Sequence, residues 1–146
     1  MITAYIIGSM RNPAIPKLGN SLRELGIDAF EDWYSPGSEA DEKWQEYEKI
    51  RGRTYRQALD GYHAKHVFDF DVYHLNRAHF GILVLPAGKS AFAEMGYLIG
   101  RGKQCYALLN GEPERYDIML RFATGFYDNV EDLLKTLRET YTCVST

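Results

Sequence analysis

The chain has few cysteines: Cys105 lies inside an apolar run and Cys143 near the C-terminus, and these two are all there are. That excludes a disulfide framework and a CxxC metal spacing, and it suits an intracellular, cytoplasmic address. There is no excess of positive charge either, since 17 basic side chains face 20 acidic ones for a formal net charge of −3. A chain so balanced has no sequence-independent pull toward a phosphate backbone or anionic lipid, so neither polymeric nucleic acid nor a membrane is expected as a partner. Long hydrophobic runs are missing as well. The opening "MITAYIIGSMRN" holds an apolar stretch too short for a signal-peptide core and lacks a basic leader, and no run reaches membrane-spanning length. No repeat or low-complexity linker interrupts the chain.

What is present is a 146-residue chain at 45% hydrophobic composition, long enough for one well-packed domain over residues 1–146 and too short for two. Short β-rich runs alternate with helical patterns: "AYIIG" (4–8), then a helix over 16–26 closed by Gly26, then "IDAFED" (27–32) as a second strand. Residues 39–78 are charged and mostly helical, with breaks expected near Gly52 and Gly61. Strand "FGILVLP", helix "SAFAEMGYLIGRG", strand "QCYALLNG", an irregular "EPERYDIMLRFA", a short strand near "TGFYD" and a closing helix "NVEDLLKTLRETY" complete the chain. Strands separated by helices require right-handed crossovers, which predicts an α/β three-layer sandwich with a flavodoxin-like parallel sheet of about five strands. Small ligands in such sheets sit beyond the C-terminal strand ends, where "GSMRNP" and "PAGKS" fall.

The stretch "PAGKSAFAEMGYLIGRGK" (86–103) contains Gly88-Lys89-Ser90 but is not a phosphate-binding P-loop. That motif needs a glycine five positions before Gly88, and the position holds Leu83. Ser90 is expected to cap the following helix, with Ala91 to Ala93 in the first turn and Glu94 at the same end. Free N–H groups and the helix dipole there favour an ionised carboxylate. A dipole-matched surface acid satisfies the same pattern.

Taken together, "YIIGSMR", "DFDVYHLNRA" and "PAGKSAFAEMGYLIGRGK" resemble the nucleoside 2-deoxyribosyltransferase family and the related deoxynucleoside monophosphate N-glycosidases, over nearly the whole chain. The resemblance implies that Glu94 is the nucleophile at the anomeric carbon, that Asp71 handles the departing base or the sugar hydroxyls, and that Tyr5 orients Glu94. The chemistry suits those residue types. Breaking a nucleoside C–N bond passes through an oxocarbenium-like state, so one carboxylate traps the anomeric carbon while an acid helps the base leave. Two carboxylates and a phenol suffice, with no metal and no cofactor. Asp71 also fits a solvated helix face, and Tyr5 a core tyrosine.

Further positions follow from the same resemblance. Gly8 and Ser9 form the first turn and Gly88 and Ser90 the third, while Ser9 and Arg11 would meet a 5′-phosphate; a solvated loop charge is the other reading of Arg11. Asp32 and Trp33, placed directly after the second strand, are expected to line a base pocket by hydrogen bonding and stacking; ordinary packing beside a strand end is the other reading. His79 stands where many family members carry an acid, and it reads as a rim histidine or a base contact. The implied partner is a small nucleoside or nucleotide, and the implied assembly is a homo-oligomer with sites completed across subunits. Three other readings fit parts of the pattern: a nucleoside 5′-monophosphate phosphoribohydrolase, on the spacing from Pro86 to Glu94; a non-enzymatic nucleotide sensor; and a metal site built from His63, His66, Asp69 and Asp71.

Overall fold

The computed structural model describes residues 1–142; Cys143 lies outside them. Strands β1 (Thr3–Ile7), β2 (Asp28–Phe30), β3 (Phe80–Val84), β4 (Gln104–Leu108) and β5 (Gly125–Tyr127) form one sheet in the order β2-β1-β3-β4-β5, with every neighbouring pair parallel. The expected five-stranded flavodoxin-like α/β sandwich is therefore the fold. Helices α1 (Ala14–Glu24), α2 (Ala40–Ile50), α3 (Tyr55–Leu59), α4 (Tyr62–Arg77), α5 (Lys89–Gly100) and α6 (Val130–Tyr141) supply the outer layers.

The period-2 alternation of buried strands divides the core. Ala4 and Ile6 of β1 face Ile15, Leu18 and Leu22 of α1 and Leu133 and Leu137 of α6. Tyr5 and Ile7 face the opposite way, onto Leu75 of α4 and Ala91, Met95 and Leu98 of α5. Across the second face runs one row in register: Phe30 pairs with Tyr5, Tyr5 with Gly81, and Gly81 with Cys105. Gly81 makes that row passable. A Cβ there would stand 2.4 Å from Leu98 Cδ1 and 3.2 Å from Cys105 Sγ, so the missing side chain lets α5 lie close against the middle of the sheet.

Several boundaries differ from the sequence reading. The second strand ends at Phe30 rather than Asp32, because Asp32–Tyr34 wind into a 3-10 turn. The stretch 112–123 contains a 3-10 turn over Ile118–Phe122, started by Asp117 accepting from Met119 N–H at 2.9 Å. The long helical segment breaks where glycine was expected to break it: Gly52 has φ +70°, and α4 starts directly after Gly61. Between these breaks Thr54 and Gln57 form a reciprocal capping box for α3. Buried Glu48 on α2 holds Arg51 at 3.3 Å and Arg53 at 2.9 Å, which fixes the turn between α2 and α3.

Candidate active site

Tyr5, Glu94 and Asp71 come from three different elements, and the fold brings them together on the α4/α5 face of the sheet. Tyr5 is in the middle of β1 and only 1% exposed. Glu94 and Asp71 are both partly buried, on α5 and α4 respectively. The Tyr5 hydroxyl and Glu94 Oε2 are buried, face each other, and have no hydrogen-bond partner of good geometry. Orphaned buried polar atoms cost about 1–3 kcal/mol each. Glu48 Oε2 and Arg53 Nε are a second such pair, matched in charge as an ion pair, whereas Tyr5 and Glu94 set a phenol against a carboxyl, which makes them the candidate site.

The electrostatics follow from burial. Desolvation pushes the Glu94 carboxyl from 4.5 up to about 7; the facing Tyr5 phenol favours the ionised form, and the Asp71 charge opposes it. The Tyr5 phenol is raised far above its ordinary range by burial, then by the Glu94 and Asp71 charges. Asp71 is raised by its own desolvation. Buried Cys105, pushed up to about 12 by desolvation, stays a thiol beside this cluster.

These positions correct part of the sequence reading. Ser90 does not cap α5: the cap position is Gly88, with no side-chain cap bond, and the helix begins at Lys89. Glu94 therefore lies in the second turn, beyond the reach of the helix dipole. Burial among apolar contacts delays its ionisation to about pH 7, and free N–H groups do not hold it ionised. The reason is its place beside the Ala91–Met95–Leu98 stripe, which turns it toward the sheet.

At the sheet edge, the turns after β1 and β3 are neighbours because those strands pair. A Cβ on Gly8 would stand 2.7 Å from Ile15 Cδ1 and 3.3 Å from the Val84 carbonyl, so glycine lets the first turn close onto β3 and α1. The N-terminus of α1 is closed to an anion: Asn12 takes the Ala14 N–H through its side chain and the Ile15 N–H through its carbonyl, while Pro13 and Pro16 have no N–H. The uncapped N-terminus of α5, with Gly88 and exposed Ser90, is the end with free donors. Ser9 Oγ accepts from the Arg11 N–H at 3.1 Å. The Arg11 guanidinium is well exposed and pairs with Glu42 of α2 at 3.3 Å.

Trp33 donates its indole N–H to the Ile6 carbonyl at 2.7 Å, one register step beyond the end of β2. Its only polar atom is thereby used, and a base would meet its ring alone. Asp32 is exposed at the head of the same turn. His79 belongs to the opposite edge, where its Nδ1 accepts from the Thr3 N–H at 2.9 Å and its own N–H bonds the Thr3 carbonyl; it is the rim histidine of the two readings. His63 packs against Trp44 with ring centroids 6.1 Å apart. Among the described residues no three His, Cys, Asp or Glu side chains gather closely enough to hold a metal ion, so the four-residue metal reading does not form. None of the described helices is long and apolar enough to cross a membrane.

This geometry can be set beside that of solved proteins. The CMP N-glycosidase BcmB of Clostridium botulinum superposes with a TM-score of 0.55 at 16% identity, over 92% of this chain and 97% of the other. A 2-deoxyribosyltransferase of Bacillus psychrosaccharolyticus gives 0.60 at 14% identity, over 90% and 89%. The chain shares the fold of these two enzymes. A conserved protein of Enterococcus faecalis V583 gives 0.62 at 12% identity over 95% and 98%. No protein-family model and no curated protein matches the sequence. At this level the family resemblance carried by the three motifs holds for the fold. Sequence reasoning missed two aromatic residues beside the cluster: Phe30, whose ring meets Tyr5, and His74, which stacks on Phe30. The available signal was spacing: His74 follows Asp71 by one helical turn, on the same face.

Proposed function

We propose that the protein cleaves the N-glycosidic bond of (deoxy)nucleosides or their 5′-monophosphates and passes the sugar to water or to a second base. The observation that carries this reading is the convergence of two carboxyls from separate helices on one buried phenol, in a fold shared with a CMP N-glycosidase and a 2-deoxyribosyltransferase. In the first half-reaction a Glu94 oxygen bonds to C1′ as the C1′–N bond breaks. The bonding pair leaves with the base, which takes a proton from Asp71. In the second, water or another base attacks C1′, the Glu94 ester bond breaks, and the proton of the attacking group returns to Asp71. Burial acts on both groups, favouring the acid and delaying ionisation of the nucleophile to about pH 7. It keeps Asp71 protonated at higher pH than a free aspartate, and it makes ionised Glu94 a poorly solvated, hence reactive, carboxylate.

Tyr5 orients Glu94 in this scheme, and the Trp33 ring with Asp32 lines the base pocket. A 5′-phosphate would meet the open α5 N-terminus at Gly88 and Ser90, next to Gly8 and Ser9. Arg11 joins it by exchanging Glu42 for the phosphate, a swap favoured because the Arg11–Glu42 pair is solvent-exposed and weak. The exposed apolar residues Phe68 and Tyr73 of α4, and separately Ile118 and Phe122 of the 3-10 turn, are surfaces that a second subunit would cover in a homo-oligomer.

The deciding experiment is chromatographic product analysis after incubation with a panel of deoxynucleosides and their 5′-monophosphates, with and without a free second base. Released base, or a new nucleoside when the second base is present, is the expected result. Intact substrates across the panel would remove the enzymatic reading in favour of a nucleotide-binding protein.

A further inference from the structure

Phe30 pairs with Tyr5 across β2 and β1, and their rings lie 5.2 Å apart at 39°. On the other side of Phe30 lies His74 of α4, stacked face to face with centroids 3.8 Å apart and planes 9° from parallel. Phe70 and Tyr73 set their rings edge-on against the same imidazole at 4.7 and 5.1 Å. The imidazole is also fixed by hydrogen bonding. His74 Nδ1 accepts from Arg77 Nε at 2.8 Å, and Arg77 reaches Asp28 Oδ2 at 3.4 Å, an oxygen that also accepts from Thr3 Oγ1 at 3.1 Å. An accepting Nδ1 means a neutral ring with its proton on Nε2. Partial burial and the Arg77 charge keep it neutral, against the weaker pull of Asp32 and Asp28.

The arrangement forms a continuous path of contacts from an ion pair at the far edge of the sheet, through His74 and Phe30, to the phenol that faces Glu94. Asp71 is one turn before His74 on the same helix, so the contact that locates Phe30 also locates α4. We propose that His74 is a positioning residue, which by stacking on Phe30 holds the Tyr5 hydroxyl against Glu94. This deepens the reading of Tyr5 and Glu94 given above and rests on it for its effect on turnover. Besides Tyr5, the ionisable groups that face Glu94 are Asp71 from α4 and Cys105 from β4. Those facing His74 are Arg77 on its own helix, Asp28 on β2 and Asp32 in the following turn.

The test is a titration of the Glu94 carboxyl by carbon-detected NMR in wild type, Tyr5→Phe, His74→Ala, His74→Gln and His74→Phe. Because the Tyr5 hydroxyl favours ionised Glu94, Tyr5→Phe is expected to raise the midpoint by roughly half a pH unit to one unit. His74→Ala and His74→Gln should raise it similarly and add little on top of Tyr5→Phe, as coupled neighbours do. His74→Phe, which keeps an aromatic face on Phe30 while giving up the Arg77 hydrogen bond, should stay close to wild type because the stacking carries the effect. In turnover the Ala and Gln variants should lose about ten- to a hundredfold in kcat with little change in KM. An unmoved midpoint in His74→Ala, or a shift fully additive with that of Tyr5→Phe, overturns the proposal; should the Ala variant fail to fold, His74→Gln carries the same decision. If wild type turns over nothing, the enzymatic reading fails, and the titration still decides whether His74 positions Tyr5.

Discussion

Replacing Glu94 with Gln should stabilise the protein at alkaline pH while abolishing its chemistry. Burial raises the folded-state value of this carboxyl from 4.5 to about 7. Below about pH 4.5 it is protonated both folded and unfolded, so it costs nothing. Between 4.5 and 7 the unfolded chain releases the proton while the folded chain keeps it, and stability falls as pH rises. Above about pH 7 the folded protein must hold a buried carboxylate, and at 1.36 kcal/mol per pH unit the accumulated loss is about 3 kcal/mol. Gln never ionises, and its amide can bond the unpartnered Tyr5 hydroxyl. Urea melts at pH 4 should therefore place the two proteins within about 1 kcal/mol of each other. At pH 8.5 the variant should be about 3 kcal/mol more stable, worth roughly 5–10 °C in melting temperature. A difference that is constant with pH, or a variant less stable at pH 8.5, would refute the burial argument.

The same titration shapes the activity. kcat/KM should rise through about pH 7 as Glu94 ionises, and in Tyr5→Phe this acid limb should move to higher pH, read directly from the pH–rate profile. Arg11→Ala should raise KM for a 5′-monophosphate by one or two orders of magnitude, about 1.5–3 kcal/mol for a lost charge-assisted contact, and leave the nucleoside nearly unaffected; equal effects on both substrates would make Arg11 structural. Gly81→Ala should cost about 1–3 kcal/mol in chemical denaturation by overpacking against Leu98 and Cys105, since the added Cβ would lie 2.4 Å from Leu98 Cδ1.

Strand order and crossovers were legible because β-rich runs alternate with helical spacing and glycine marks the joints: Gly26, Gly52 and Gly102 each take positive φ at or just beyond a helix end. Strand ends were less legible. The continuation of "IDAFED" past Phe30 is decided by Trp33 bonding Ile6, a contact 27 residues apart in sequence. The candidate nucleophile could be picked out from its motif, but its environment was misjudged. Starting the helix at Ser90 makes Glu94 a dipole-matched surface acid. Counting from Lys89 puts it beside Ala91, Met95 and Leu98 on the face that meets the sheet. The apolar spacing was there to be read, and it outweighs the cap signal because burial of that stripe orients the helix. Arg11 was legible as a residue of the turn after β1, whereas its pairing with Glu42 depends on the docking of α2, which no local pattern encodes.

The central claim, a covalent sugar on Glu94, is tested most directly by intact-protein and peptide mass spectrometry after incubation with a 2′-fluoro-arabino nucleoside and its 5′-monophosphate. The electronegative substituent disfavours the oxocarbenium state and slows release of the intermediate. The expected result is a protein heavier by one fluorinated sugar, or sugar phosphate, with the added mass on the peptide containing Glu94 and absent from Glu94→Gln. Measurable turnover of the natural substrate with no adduct, or an adduct on any other residue, would contradict the account.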